Sequence, residues 1–244
     1  MFHDKPVEFA PLISALQKAL SMDSRIPSAM AKVSPSLLSA DFANLGRDVK
    51  DISSLEADFF HIDVMDGSFV PNITIGPGVI KSIRKLTVVP FITHLMIDHP
   101  ERMVESFAEA GSDFITVHVE AKGDVDEAIK RIRQSGKKAG IALNPPTSFS
   151  KVERYLPIVD IILVMTVNPG WSGQKFIPEA AKKIAEARKV IDEEELSTLI
   201  EVDGGINQDT GKVCVEHGVD ILAAGSYIFS APDRKTAIEN LKRL

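Results

Sequence analysis

Short β-prone runs alternate with helical patterns eight times along this chain of 244 residues, and that alternation limits the fold more than any other feature. The expected strands are Val33–Leu38, Asp58–Val64, Val89–Met96, Phe114–His118, Ala139–Leu143, Ile161–Val167, Leu199–Asp203 and Ile221–Ala224. The expected helices are Leu45–Leu55, Gly78–Lys85, Pro100–Ala110, Val125–Gln134, Ser148–Tyr155, Pro178–Ile191, Gln208–His217 and Arg234–Leu241. Strands separated by helices pair in parallel, because each crossover returns the chain to the same end of the sheet. Eight such units in a chain of this length predict a closed (β/α)8 barrel of the TIM type, with an open doubly wound sheet as the alternative. The hydrophobic share of 44% is enough for its core. In such barrels the chemistry sits at the C-terminal ends of the strands, so polar residues there carry the most functional weight.

The rest of the composition narrows the class of partner. A net charge of −6 argues against nucleic acid, which needs a basic face, but leaves room for a small anionic substrate. No apolar run reaches the ~18 residues of a membrane span. The single cysteine, Cys214, excludes an intrachain disulfide and fits a reducing cytoplasm. Its place in an expected helix points to a buried structural thiol. Residues 1–31 read as an N-terminal extension, with an amphipathic helix around Leu12 to Leu20 and a loop near Pro27. They lack the basic start and long apolar block of a signal peptide. Residues 32–244 form the single catalytic barrel domain.

The segment Phe60-His61-Ile62-Asp63-Val64-Met65-Asp66-Gly67 is unusual for a barrel strand. Alternation puts His61 and Asp63 on one face; if Ile62 and Val64 pack on helices, that face is the barrel interior. Two polar groups there are costly unless paired or bound to a cation. His94 ends the next strand and Asp203 ends the seventh. Two imidazoles and two carboxylates from three strand ends can converge on one centre, a donor set that suits Zn²⁺, Fe²⁺, Mn²⁺ or Co²⁺.

Three glycine-bearing turns follow the last strands: Val167-Asn-Pro-Gly170-Trp171-Ser172-Gly173-Gln174, Asp203-Gly204-Gly205 and Gly225-Ser226. Glycines let backbone N–H groups approach an anion closely. Three on neighbouring strands point to one phosphate site, needing no lysine or arginine.

At this point the chain resembles the ribulose-phosphate 3-epimerase family. The matching segments run in the family's order: Ser34-Pro-Ser-Leu-Leu-Ser-Ala-Asp-Phe42, His61-Ile-Asp-Val-Met-Asp-Gly67, Phe69-Val-Pro-Asn-Ile-Thr-Ile-Gly76, His94-Leu-Met96, Val167-Asn-Pro-Gly170, Glu201-Val-Asp-Gly-Gly-Ile-Asn207 and Ala224-Gly-Ser226. The resemblance implies a barrel of the ribulose-phosphate-binding type that interconverts D-ribulose 5-phosphate and D-xylulose 5-phosphate. It implies that His61, Asp63, His94 and Asp203 hold one divalent metal per chain. It implies that Asp63 and Asp203 exchange the C3 proton through an enediolate, with the direction of each left open. Ser36 matches a substrate-contacting serine, and His94 and Asp203 also face substrate. Met65, Met96 and Met165 match an apolar floor beneath it. Family barrels form homo-oligomers.

Two departures stand out. Trp171-Ser172 replaces the usual Phe-Gly, which alters the loop but keeps its backbone donors. Ser68 stands where the family often has histidine. The nearest rival is a hexulose 6-phosphate 3-epimerase with the same machinery. A metal-free lyase or decarboxylase would want a strand-end lysine near Asp63 or Asp203, and neither has one within two residues. A non-catalytic phosphate-binding barrel would not require all four ligands. His118 reads equally as a site residue or a satisfied structural histidine, and Glu201 is left without a role. His3, His99, His217 and the charged run Lys182 to Glu195 read as surface.

Overall fold

In the computed structural model, residues 30–244 are described; the extension's expected helix and loop lie outside the described residues. The strands are β1 (Lys32–Pro35), β2 (Phe60–Met65), β3 (Phe91–Met96), β4 (Phe114–His118), β5 (Lys138–Leu143), β6 (Ile161–Met165), β7 (Leu199–Asp203) and β8 (Ile221–Ala224). They form one sheet ordered β1-β8-β7-β6-β5-β4-β3-β2, with every ladder parallel. The last seam, β1 to β2, has no ladder. A parallel bridge between Ser36 and His61 joins it at the top, and the N–H groups of Asp58 and Phe59 donate to Val33 O at 3.0 and 3.3 Å lower down. The barrel is thus nearly closed, and its one seam without a ladder carries Ser36 and His61 at its top.

Alternation sorts the side chains. Ile62 and Val64 of β2, Leu95 of β3, Val117 of β4 and Val202 of β7 belong to the large core between barrel and helices. The inward residues form separate groups. Phe59, Phe114, Ile161 and Ile221, with Ile92 and Leu199, plug the N-terminal end. Four of these come from the starts of alternate strands, Phe59 standing just before β2, which is how a (β/α)8 barrel fills a layer.

Each of those four follows an aspartate. Asp58, Asp113, Asp160 and Asp220 accept the backbone N–H of Val33, Phe91, Ala139 and Ile200 at 2.9, 2.8, 2.9 and 2.7 Å. Each also faces a cation: Lys242 at 3.2 Å, Arg84 at 3.0 Å, Lys138 at 3.3 Å and Arg188 at 3.6 Å respectively. The repeated Asp-Phe or Asp-Ile pair ties each odd strand to the even strand after it and places the plug residue.

The helix expected at Ser148–Tyr155 is replaced by two 3₁₀ turns, Phe149–Lys151 and Glu153–Ile158. Pro157 lies in the second; it lacks an N–H and blocks continuation as an α-helix. The expected Pro100–Ala110 and Pro178–Ile191 helices each begin as a 3₁₀ turn before α-helix at Val104–Ala110 and Lys182–Glu193. A short helix at Ser226–Phe229, absent from the sequence reading, follows β8. Cys214 is buried in Gln208–Glu216, and burial pushes its thiol up to about 12, consistent with a structural role. No described helix is long and apolar enough to cross a membrane.

Candidate active site

β2 presents His61 and Asp63 inward because Ile62 and Val64 are claimed by the outer core. The register of β2 and β3 sets Asp63 opposite His94, and Asp203 ends β7. One ligand atom from each of His61, Asp63, His94 and Asp203 lies within 4.8 Å of the others, as a group able to hold one cation. His61 Nε2 is 3.2 Å from Asp63 Oδ1 and 3.8 Å from Asp203 Oδ2. His94 Nδ1 is 3.0 Å from the same Asp63 oxygen and 3.3 Å from His61 Nε2. Both imidazoles are fully buried.

The electrostatics demand positive charge at this point. Burial opposes a charged His61, yet the Asp63 and Glu201 carboxylates raise it well above the ordinary imidazole value. Burial pushes His94 down to about 3. Burial acts to raise Asp63, but His61 and the hydrogen bonds from His61 and His94 hold it far below the carboxylate range. Asp203 goes the other way: burial and the neighbouring Asp63 push it up to about 7. The protein groups therefore draw a proton onto His61, among the atoms where a divalent cation would meet the same demand. The donor set, its spacing and its charge all fit such a cation.

Around this set the side chains are held in place. Ser36 Oγ donates to Asp63 Oδ2 at 2.7 Å. Ser36 thus makes a strand-end hydrogen bond, and it also lines the cavity. His61 Nδ1 lies 3.0 Å from Glu201 Oε1, so the residue left without a role backs a predicted ligand. His94 Nε2 lies 2.7 Å from His118 Nε2, and His118 Nδ1 lies 3.0 Å from Glu120 Oε2. Burial acts to raise Glu120, but the His118 hydrogen bond and charge bring it below its ordinary value.

A small cavity of about 40 Å³ opens beside Asp63 and Asp203 and runs to the glycine turns. Ser36, Trp171, Ser172, Gly173, Gly204, Gly205, Gly225 and Ser226 all line it. Gly204 and Gly205 have φ of +122° and +66°, and a Cβ on Gly205 would stand 2.6 Å from Phe176 N. A side chain there would both strain the backbone and close the cradle. Gly170 does not line the cavity; its carbonyl accepts from Asn72 Nδ2 at 2.8 Å, tying the β6 loop to the β2 loop. On the other side Ser172 Oγ lies 2.6 Å from Ser39 Oγ, a contact created by one of the chain's departures from the family pattern. Ser39 and Gln174, both cavity-lining, were missed by the sequence reading.

The three methionines end β2, β3 and β6 and are buried, in two packing groups. Met65 and Met96 cluster with Val70, Leu38 and Phe69. Met165 packs with Ala142, Leu163 and Val167 instead. Inward alternation on β2 and β3 joins the first two, while β6 lies across the barrel.

Comparisons with known proteins bear on the same span. The family model described as the ribulose-phosphate 3 epimerase family matches residues 32–229. A Bacillus subtilis protein named ribulose-phosphate 3-epimerase is 47% identical over 214 residues, covering 87% of this chain and 99% of its own length. An Arabidopsis thaliana protein named ribulose-5-phosphate-3-epimerase, chloroplastic, is 44% identical over 227 residues, covering 92% of this chain and 81% of its own. Among solved structures, KGPDC from Streptococcus mutans superposes with a TM-score of 0.65 at 15% identity, over 87% of this chain and 96% of that one. That likeness speaks for the barrel alone. The family match spans the whole stretch from β1 to the helix after β8, and with it all four candidate ligands and every glycine turn described above: the chain belongs to the ribulose-phosphate 3-epimerase family.

Proposed function

We propose that this chain is an isomerase that interconverts D-ribulose 5-phosphate and D-xylulose 5-phosphate by moving the C3 proton between faces. Family membership supports the activity. The observation that carries the mechanism is the meeting of His61, Asp63, His94 and Asp203 beside a cavity whose far end is lined by glycine turns.

His61, Asp63, His94 and Asp203 would hold the divalent cation, which would supply positive charge as a Lewis acid where negative charge grows when C3 loses its proton. Zn²⁺, Fe²⁺, Mn²⁺ and Co²⁺ all suit the nitrogen and oxygen donors. Asp63 and Asp203 come from β2 and β7, so they can flank a substrate lying across the mouth. One carboxylate can take the C3 proton on one face while the other returns a proton on the opposite face. Reversing the reaction exchanges the roles. Ser36 fixes the Asp63 carboxylate. Backbone N–H groups around Gly173, Gly204, Gly205 and Gly225, with Ser226, receive the phosphate. Met65, Met96 and Met165 make an apolar floor that keeps water from the enediolate.

The test is solvent deuterium entering C3 of ribulose 5-phosphate, with metal content measured on the same sample. Turnover should accompany about one divalent cation per chain. Full activity in exhaustively chelated protein would overturn the mechanism, and faster turnover of a hexulose 6-phosphate would move the substrate to the rival sugar. A cytoplasmic location and a homo-oligomer are proposed on the same family ground. The chloroplastic name of the Arabidopsis relative makes fractionation the test of the first, and sedimentation tests the second.

A further inference from the structure

His118 and Glu120 belong to none of the roles assigned so far. His118 ends β4 and is fully buried. It does not line the substrate cavity. Its ring packs against Phe69 at 4.7 Å between centroids and against His94 at 4.9 Å. Its Nε2 stands 2.7 Å from His94 Nε2, and its Nδ1 3.0 Å from Glu120 Oε2. The second Glu120 oxygen accepts the N–H of Asn144 at 2.8 Å, which orients the carboxylate.

Once a cation replaces the proton that His94 Nδ1 shares with Asp63 in the cation-free site, a neutral His118 leaves one assignment of protons. An ionised carboxylate only accepts, so His118 must donate to Glu120 from Nδ1. A neutral His118 then has a bare Nε2, which accepts. His94 must therefore carry its proton on Nε2 and donate it to His118. That leaves His94 Nδ1 bare, and this is the nitrogen facing Asp63 and the proposed cation. The opposite tautomer of His118 would set a lone pair against the Glu120 carboxylate. His61 is arranged differently: its Nδ1 meets Glu201 directly, and its Nε2 faces the ligand set.

We propose that Glu120 and His118 are positioning residues that fix the tautomer and orientation of His94, so that its Nδ1 is presented to a divalent cation. One ligand imidazole is thus set by a carboxylate directly and the other through a second imidazole. Such outer partners generally matter to metal affinity about as much as 10- to 100-fold. The inference rests on the reading of His61, Asp63, His94 and Asp203 as ligands.

The test uses the full chain and Co²⁺. Affinity is measured by competition with a chromophoric chelator, and the visible spectrum of the bound Co²⁺ reports its ligand field. His118→Phe keeps the ring volume and removes both hydrogen bonds; it should weaken Co²⁺ binding by about tenfold or more and shift the spectrum. His118→Gln, which keeps an acceptor for His94, should recover part of both. Glu120→Gln, at a half-buried position, should weaken binding less than His118→Phe. Independently of any variant, imidazole ¹⁵N spectra of the Zn²⁺-loaded wild-type protein should show His118 protonated at Nδ1 and His94 at Nε2. Unchanged Co²⁺ affinity and spectrum in folded His118→Phe, or the opposite tautomers in the Zn²⁺-loaded wild type, would overturn the relay while leaving the ligand set standing. A wild-type chain that binds no Co²⁺ would overturn both.

Discussion

At the N-terminal end of the barrel, Asp58, Asp113, Asp160 and Asp220 each accept a backbone N–H at 2.9 Å or less and each face a lysine or arginine. At the C-terminal end, Asp63 and Asp203 face two imidazoles and each other across 4.8 Å or less. The residue type is the same and the surroundings differ. At the base, each carboxylate completes the hydrogen bonding of a strand that would otherwise start with an orphaned donor. At the rim, Asp63 has the Ser36 hydroxyl and the two imidazoles, and Asp203 has a Gly204 backbone donor but nothing nearer than 3.8 Å from His61. The base set is tied to the strand ladder; the rim set is concentrated charge that wants a cation and a substrate. Barrels of this kind separate stability and chemistry along their axis, and here one amino acid serves both ends.

Substitution at each end should break function in a different way. Asp63→Asn should lower the rate of C3 proton exchange by about a thousandfold or more, since acid/base groups contribute on that order. The fold should persist, because the Ser36 hydroxyl can still donate to the amide oxygen. Exchange followed by NMR beside circular dichroism checks both halves, and an active variant would erase the distinction between the ends. Asp113→Ala should do the reverse, costing about 1–2 kcal/mol of stability by orphaning the Phe91 N–H. Its kcat should equal that of the wild type. Urea unfolding and initial rates measure the two effects.

A third substitution sharpens the contrast through pH. The folded chain holds the Asp203 proton to about pH 7, whereas the unfolded chain releases it near the ordinary 3.8. The folded state therefore binds more protons through that window, and the stability of cation-free protein falls as pH rises across it. Asp203→Asn removes that fall. The cation-free variant should melt a few degrees above wild type at neutral pH and match it near pH 4, while losing activity. A lower melting temperature at neutral pH would show that Asp203 is no burden to the fold. The smallest effect is expected at the β6 loop. Ser172→Gly removes the contact with Ser39 and should raise KM by a few-fold with kcat little changed, because Asn72 still holds the loop from its other side.

Much of this was legible beforehand, for reasons that differ by residue. His61 and Asp63 could be found because polar residues on the inward face of an apolar strand cost free energy without a compensating role. The glycine turns could be found because they follow three consecutive strands. The base aspartates were present in plain sight as Asp-Phe and Asp-Ile pairs, yet only the register shows that each meets the preceding strand. His118 was ambiguous because a lone histidine at a strand end has no periodic signal, and its meaning comes from His94 on the neighbouring strand and from Glu120.

By itself the sequence determined the eight repeats, the inward face of β2, the donor types at the rim and the glycines that follow the late strands. Those are local properties, set by alternation, side-chain chemistry and the room a backbone needs. The tertiary structure alone decided that the β1–β2 seam carries no ladder, that Met165 packs in a different group from Met65 and Met96, and that Ser172 reaches Ser39. It also decided which nitrogen of each imidazole faces the ligand set. Each of these depends on how distant strands meet around a closed sheet, and no spacing along the chain encodes that distance.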